Sequence, residues 1–211
     1  MSEQRVEPAE WSTVTERRRR RMLDVLCRRQ PDLTVVIENV HDPHNISAVL
    51  RSCDAVGIMT VHLVYTVEER PPLSRISSAS AMKWLDIVDH PDIASCYAAL
   101  RAEGFTIYAT HVDAASRDLY DVDLTQPVAL VFGNEHRGVS GEALANADAA
   151  VVIPMMGMVQ SLNISVACAV SLYEALRQRR AAGAYAQPKL SGPDIEARIT
   201  HWLQREGRIR D

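Results

Sequence analysis

The stretch LTVVIENVHDPHNISAVLRSCDAVG (residues 33–57) decides the fold class. It begins with an almost wholly apolar, β-branched run over residues 33–39, which is typical of a strand buried on both faces. After a polar interval, residues 46–57 have helical spacing and end on glycine, a frequent residue at helix C-termini. A buried strand followed directly by a helix is the repeating unit of an α/β protein with a parallel sheet.

The same alternation continues along the chain, and it predicts an α/β fold with a parallel sheet. Helices are predicted from residue 15 until Pro31 would end the first one, and again over residues 91–104, 164–183 and 194–208. Further strands are predicted over residues 60–65, 84–89, 106–110, 127–133 and 149–154. The proline- and glycine-containing residues 184–193 are predicted to be a linker.

The length of 211 residues allows one large domain with appendages. We expect a basic N-terminal extension over residues 1–30, a main domain that holds the active site over 31–183, and a C-terminal linker and helix over 184–211. A composition of 47% apolar and 24% charged residues excludes wholesale disorder. No apolar run is long enough to cross a membrane, and the N-terminal residues do not resemble a secretory signal. Four widely spaced cysteines without a CxxC pair favour buried thiols in a cytoplasmic protein over a zinc site or disulfides.

The net charge of −4 hides two basic ends. Residues 1–29 carry eight arginines against five acidic residues, residues 175–211 carry eight basic against four acidic, and residues 30–174 carry seven against eighteen. Such terminal charge blocks often bind polyanions, although a solvated helix surface is the simpler interpretation. We therefore predict that the N-terminal arginines contact RNA phosphates. They are Arg17, Arg18, Arg19, Arg20, Arg21, Arg28 and Arg29.

Ligands of open α/β sheets bind beyond the carboxyl ends of the strands, so the loops that follow the strands are the candidate site. In the first of these loops, Asn45 is either a helix cap or a functional residue. Arg51 lies in an apolar helical stretch and must meet an acid, a phosphate or a subunit partner. His41 and His44 lack further ligands of metal-site spacing, so we expect no metal there.

The loops after the later strands exclude two cofactor classes. The segment LVFGNEHRGVS (residues 130–140) is not a GxGxxG fingerprint, and no GK[ST] sequence exists in the chain. Nicotinamide cofactors and nucleoside triphosphates are thus disfavoured. The segment IPMMGMVQSLNISVACAV (residues 153–170) is either an ordinary crossover with Asn163 as helix cap, or a small-residue loop suited to holding an adenine or ribose through backbone groups.

Three motifs taken together resemble those of a known family. N-x5-R begins at Asn45, FGNE-x2-G begins at Phe132, and IPM-x-G-x-x-QSLN-x-S-x-A begins at Ile153. The combination resembles the SPOUT superfamily, most closely its TrmH-like ribose 2′-O-methyltransferase branch, over roughly residues 32–182. The resemblance implies an S-adenosylmethionine-dependent enzyme without a metal, an α/β-knot fold with a deep C-terminal trefoil knot, and a homodimer. In the family, the dimer forms through the long C-terminal core helix and the first helix, with the active site near the interface.

The resemblance also assigns residues. Arg51 is implied as the key catalytic residue; the family's proposed role for it is a base, but an arginine pKa above 12 favours binding of a phosphate and the developing alkoxide instead. Asn45 would hold Arg51 or the substrate, and Glu135, Ser161 and Asn163 would place substrate and shape the knot. The implied contacts to the methyl donor are Thr110, Gly133, Ile153, Met158 and Leu162.

The two ends of the chain suggest the substrate. A basic helix running straight into the first strand, together with a short C-terminal helix, resembles the tRNA enzymes that methylate the ribose of guanosine 18 in the D-loop. The alternatives are methylation of ribosomal RNA or of another tRNA position, a non-catalytic RNA-binding protein, and a flavodoxin-like small-molecule enzyme. A degenerate scaffold would be expected to lack the arginine or the cofactor loop, and both are present.

Overall fold

The computed structural model describes residues 15–71 and 81–206. Its centre is a seven-stranded sheet in which every pair of neighbouring strands is parallel, in the order β3-β2-β1-β6-β4-β7-β5. The parallel α/β architecture is therefore confirmed. The strands are β1 Leu33–Glu38, β2 Thr60–Val64, β3 Asp86–His90, β4 Thr106–Thr110, β5 Arg117–Asp118, β6 Val128–Phe132 and β7 Ala149–Val152.

Helices cover both faces of the sheet. They are α1 Glu16–Leu26, α2 Pro43–Val56, α3 Ile93–Ala102, α4 Gly141–Asn146, α5 Ile164–Ala181 and α6 Gly192–Arg205. Helices α2 and α5 bury their apolar sides against one face, and α3 and α4 bury theirs against the other. All six residues of β1 are buried, and successive side chains alternate between the two faces, as Val35 and Val36 do. A strand covered on both sides explains the almost wholly apolar run in the sequence.

The structure corrects several predicted boundaries. Helix α2 begins at Pro43 rather than residue 46, because Asp42 caps it by accepting a hydrogen bond from the His44 N–H at 2.8 Å. The interpretation of Asn45 as the cap is therefore wrong. Helix α6 begins at Gly192, inside the predicted linker, with Ser191 as its cap. The sequence patterns missed the two-residue β5 and the six-residue α4, which are too short to show a period.

The first and last of the described helices pack together. Met22 and Leu26 of α1 form a small apolar cluster with Ile195, Ile199, Trp202 and Leu203 of α6. Helices α1 and α6 thus share one apolar cluster, although they are far apart in sequence. No helix of the described residues is long and apolar enough to cross a membrane. The four cysteines are free thiols.

Candidate functional site

A cavity of about 310 Å³ opens at the carboxyl ends of β4, β6 and β7. This is the position at which open α/β sheets bind ligands, and the volume lies at the lower end of the usual range for small-molecule sites. Its walls combine the ends of these strands, the loop after β6 and the loop before α5. The lining residues used below are Thr110, His111, Gly133, Glu135, Ile153, Gln160, Ser161 and Leu162.

The loop after β6 is held in one conformation by Asn134. Its side chain donates to the Asn39 carbonyl at 2.8 Å and accepts from the backbone N–H groups of His136 and Arg137. The backbones of Asn134 and Gly138 also exchange two hydrogen bonds, at 2.9 and 2.8 Å. A Cβ on Gly133 would lie 2.1 Å from the Gly138 and Val139 backbone. Glycine is therefore required at this wall of the cavity, because no side chain fits.

Glu135 ties this loop to the start of α2. One carboxylate oxygen accepts from the His41 N–H at 3.1 Å, and the other accepts from the Asp42 N–H at 3.1 Å and from the Asn45 side-chain amide at 3.0 Å. Burial would raise the pKa of the Glu135 carboxyl, but the hydrogen bonds from Asn45, His41 and Asp42 outweigh it, and the pKa lies below its ordinary value. Glu135 is therefore a fixed anion between two loops.

The network continues to the helix that follows the cavity. The Asn163 side-chain amide donates to the Asn45 side-chain oxygen at 3.1 Å. Asn163 also caps α5, where its own side-chain oxygen accepts from the Ser165 N–H at 2.8 Å. Asn45, Glu135 and Asn163 were predicted as site residues from three separate motifs, and the structure brings them into one hydrogen-bonded chain.

Arg51 stands apart from this chain of contacts. It lies on α2, but its side chain is exposed and is not part of the cavity lining. Within the described residues it forms neither a hydrogen bond nor an ion pair, so none of them is the acidic partner that its position in the sequence suggested. An unpaired, exposed guanidinium is available for a phosphate or carboxylate from another molecule.

The predicted donor contacts divide into two groups. Thr110, Gly133, Ile153 and Leu162 line the cavity, as does Ser161. Met158 does not line it and is 99% exposed. The hydroxyl of Thr110 donates to the Val131 carbonyl at 2.8 Å. His111 and Gln160 also line the cavity, and sequence reasoning missed both; the position of His111 directly after β4 was the available signal.

The predicted RNA contacts on and after α1 are only partly accessible. Arg17, Arg20, Arg21 and Arg28 are exposed. Arg18 and Arg19 are half-buried, and Arg18 forms an ion pair with Glu206. The prediction that Arg29 contacts RNA is wrong. Its side chain is wholly buried and donates to Asp54 and to backbone carbonyls, so it fixes the end of α1 to the sheet domain.

Replacing Glu135 with glutamine is expected to lower the free energy of unfolding by about 1–3 kcal/mol at neutral pH, because an NH₂ group would face a backbone or amide donor. The native pKa of Glu135 is lowered, so its stabilisation is full above the ordinary glutamate pKa and is lost as pH falls through the native pKa. In denaturant unfolding, the difference in the free energy of unfolding between wild type and Glu135→Gln should become smaller at acid pH. Glu103→Gln, on an exposed residue at the end of α3, is the control and should change stability by less than about 0.5 kcal/mol.

Comparison with known proteins gives these features a family context. Residues 32–173 match the SpoU rRNA Methylase family. A tRNA (guanosine(18)-2'-O)-methyltransferase of Thermus thermophilus is 51% identical to this chain over 191 residues, covering 90% of this chain and 98% of the relative. The crystal structure of the A. aeolicus TrmH/SpoU tRNA modifying enzyme has a TM-score of 0.85 at 38% identity, covering 90% of this chain and 97% of that one. The SpoU methyltransferase AviRb from Streptomyces viridochromogenes, in complex with AdoMet, has a TM-score of 0.65 at 33% identity, over 75% and 62% of the two chains.

Proposed function

Because the chain belongs to the SpoU rRNA methylase family, we propose that it methylates the ribose 2′-oxygen of guanosine 18 in the D-loop of tRNA, with S-adenosylmethionine as the methyl donor. The observation that carries the proposal is the 51% identity to a tRNA (guanosine(18)-2'-O)-methyltransferase over 98% of that relative's length. The family's name leaves ribosomal RNA as the alternative substrate. Transfer of radioactive methyl to purified tRNA and to ribosomal RNA tests the choice, and label on ribosomal RNA alone would overturn it.

The cavity fits the methyl donor. Gly133 presents bare backbone, and Ile153 and Leu162 provide apolar surface for an adenine ring. A neighbour of known structure binds AdoMet. S-adenosylmethionine supplies an electrophilic methyl group on a positively charged sulfur. Thr110 and Ser161 lie in the same lining and would position its ribose or amino acid part.

The role of the chain's polar residues is to orient the acceptor. Arg51 is free to bind the phosphate beside the target ribose and to stabilise the alkoxide as the 2′-hydroxyl loses its proton to phosphate or water. Asn45 and Asn163 fix α2 and α5 relative to each other through their 3.1 Å hydrogen bond, and Glu135 anchors Asn45. They are positioning residues for the ends of the helices that surround the cavity.

A homodimer with the active site near the interface is part of the proposal. Among the described residues, exposed large apolar side chains concentrate in the loop before α5 and on α5 itself: Met156, Met158, Val159, Val166 and Tyr173. The same segment borders the cavity through Ser161, Leu162 and Ile164. A second copy seated on this surface would cover it and bring polar groups to the cavity mouth. Light scattering of the purified protein should give twice the monomer mass of 23.4 kDa.

The deep trefoil knot and the three-part division of the chain are also proposed. The knot is supported by family membership. The chain path between β6 and α5 in an experimental density map tests it.

The basic extension over residues 1–30 and the C-terminal part over 184–211 flank the catalytic domain over 31–183, and the packing of α1 on α6 supports treating the two ends as one accessory unit. A cytoplasmic location follows from the proposed substrate and agrees with the free thiols.

Substituting glutamine for Arg17, Arg20 and Arg21 together is expected to weaken tRNA binding at least about 10-fold at moderate salt, because up to three phosphate contacts are lost. The slope of log affinity against log salt should become shallower by about 2–3. Filter binding across a salt series measures both quantities. Arg101→Gln, at an exposed position of α3, is the control and should leave the slope unchanged. An unaltered slope in the triple variant would remove α1 from the tRNA interface.

A further inference from the structure

Three metal-ligating side chains meet on the α3 side of the sheet, at its β2–β3 edge. One ring nitrogen of His62, one of His90 and the Sγ of Cys96 all lie within 4.8 Å of one another. The two imidazole nitrogens are 2.8 Å apart, and the rings are stacked with centroids 5.1 Å apart. His62 and Cys96 are buried, whereas His90 is half-buried. None of the three lines the cavity at the carboxyl ends of β4, β6 and β7.

The fold itself places these residues together. In the parallel pairing of β2 with β3, His62 is opposite Val88 and Val64 is opposite His90. Alternate residues of a strand share a face, so His90 projects on the same side as His62, one step along the sheet. Helix α3 begins three residues after His90 and packs on that face, which brings Cys96 over the two imidazoles.

We propose that His62, His90 and Cys96 bind one Zn²⁺ ion, which ties the edge strand β3 to β2 and α3. Two imidazole nitrogens and one thiolate form a donor set that Zn²⁺ accepts, with water as the fourth ligand of a tetrahedral site. Tetrahedral Zn–N and Zn–S lengths put the ligand atoms about 3.3–3.6 Å apart. The imidazole nitrogens therefore need to separate by about half an ångström, a movement that side-chain rotation of half-buried His90 can supply.

The protonation states suit a cation. Burial, together with neighbouring His90, lowers the pKa of His62 to about 4, so this imidazole is neutral and its lone pair is available at neutral pH. Burial also lowers the pKa of His90, against the negative charges of Asp89 and Asp92. These two carboxylates add negative potential beside the cluster, which partly offsets the charge of the ion.

The Cys96 thiol stays protonated in the absence of a metal ion. Burial raises the pKa of Cys96 to about 12, so the free thiol keeps its proton. Within the part of the chain that the structure describes, this thiol has no hydrogen-bond partner. On binding, the S–H bond breaks, a Zn–S bond forms, and the proton passes to the buffer, so one proton is released per ion bound.

A structural role fits the location. Strand β3 is at the end of the sheet order, has only five residues and is partly exposed along its whole length. Such an edge strand has neighbours on one side only, so a metal bridge to β2 and α3 would add cross-links where packing is weakest. The expectation of no metal in the reaction is unaffected, because the cluster lies outside the cavity. The ligands escaped sequence analysis because they come from three different elements without a CxxC pair.

The test uses the full-length protein after treatment with a chelator. Addition of Co²⁺, which replaces Zn²⁺ in such sites, should give the absorption bands of tetrahedral cobalt together with a thiolate-to-cobalt charge-transfer band, saturating at one ion per chain. Zn²⁺ at 100 times its dissociation constant should raise Tm by about 5–10 °C. Cys96→Ser should abolish the charge-transfer band, and His90→Gln should weaken Co²⁺ and Zn²⁺ binding at least about 10-fold.

Two substitutions provide matched controls. Cys27→Ser and His201→Gln alter a thiol and an imidazole outside the cluster and should leave the cobalt spectrum and the Zn²⁺-dependent Tm unchanged. If Cys96→Ser does not fold, the half-buried His90 variant still decides the result. A charge-transfer band that persists in Cys96→Ser, an equal Tm rise in His90→Gln, or the absence of a band in wild type would overturn the proposal.

Discussion

Replacing Arg51 with alanine is expected to lower kcat for methyl transfer by about 10³-fold, while Tm stays within about 2 °C of wild type. The large kinetic effect follows because an exposed guanidinium with no partner among the described residues is free to bind the anionic acceptor. The small stability effect follows because the side chain is exposed and forms no hydrogen bond or ion pair with the described residues. Arg51→Lys should also lower kcat at least about 10-fold, since an ammonium group cannot form the bidentate contact of a guanidinium. Single-turnover methyl transfer and thermal unfolding measure the two quantities.

The control for this variant is Arg101→Ala, which removes an exposed arginine from the opposite side of the sheet and should leave kcat unchanged. Full activity in Arg51→Ala would show that another group stabilises the alkoxide. If the protein forms the proposed homodimer, mixed dimers identify which protomer supplies the arginine. If Arg51 acts on the partner's cavity, mixing Arg51→Ala with the cavity-filling Ile153→Trp should restore about a quarter of wild-type activity, and if it acts within its own chain, mixing should restore none.

Replacing Gly133 with alanine is expected to abolish binding of the methyl donor and to lower Tm by about 6–12 °C. The new Cβ would lie 2.1 Å from the backbone of Gly138 and Val139. Backbone atoms cannot rotate away as a flexible side chain can, so the loop after β6 must shift, and the wall of the cavity shifts with it. Calorimetric titration with S-adenosylmethionine measures the affinity.

A matched glycine is available at Gly141, the first residue of α4. A Cβ there would meet nothing within 4 Å, so Gly141→Ala should bind the methyl donor as wild type does and should be at least as stable. Unchanged Tm and affinity in Gly133→Ala would mean that the turn over residues 133–139 is wider at this point, and the assignment of this wall to the methyl donor would lose its support.

The sheet and its main helices were predictable from sequence because their signals are strong and local. The run LTVVIE is mostly apolar since β1 is covered on both faces, and Gly57 ends α2 in a left-handed conformation with φ 92°. The start of α2 was also encoded, since Asp42 followed by Pro43 is a cap with proline in the first turn. The order of the strands was not predictable from the sequence, because it depends on contacts between segments distant in sequence.

The site was only partly predictable for the same reason. The motifs indicated Asn45, Glu135 and Asn163 separately, and their mutual hydrogen bonds became visible only after α2 and α5 were placed. The isolated position of Arg51 and the complete burial of Arg29 were equally hidden, because both depend on which distant segments lie nearby. Arg29 follows the end of α1 and is buried by its contacts to Asp54 and to the carbonyls of Ile58 and Trp84.

The most direct measurement is methyl transfer from radioactive S-adenosylmethionine to an unmodified tRNA transcript, compared with the same transcript carrying 2′-deoxyguanosine at position 18. We expect one methyl group per tRNA in the first case and none in the second, because only the ribose 2′-oxygen of that nucleotide is the acceptor. Equal label on both transcripts would contradict it.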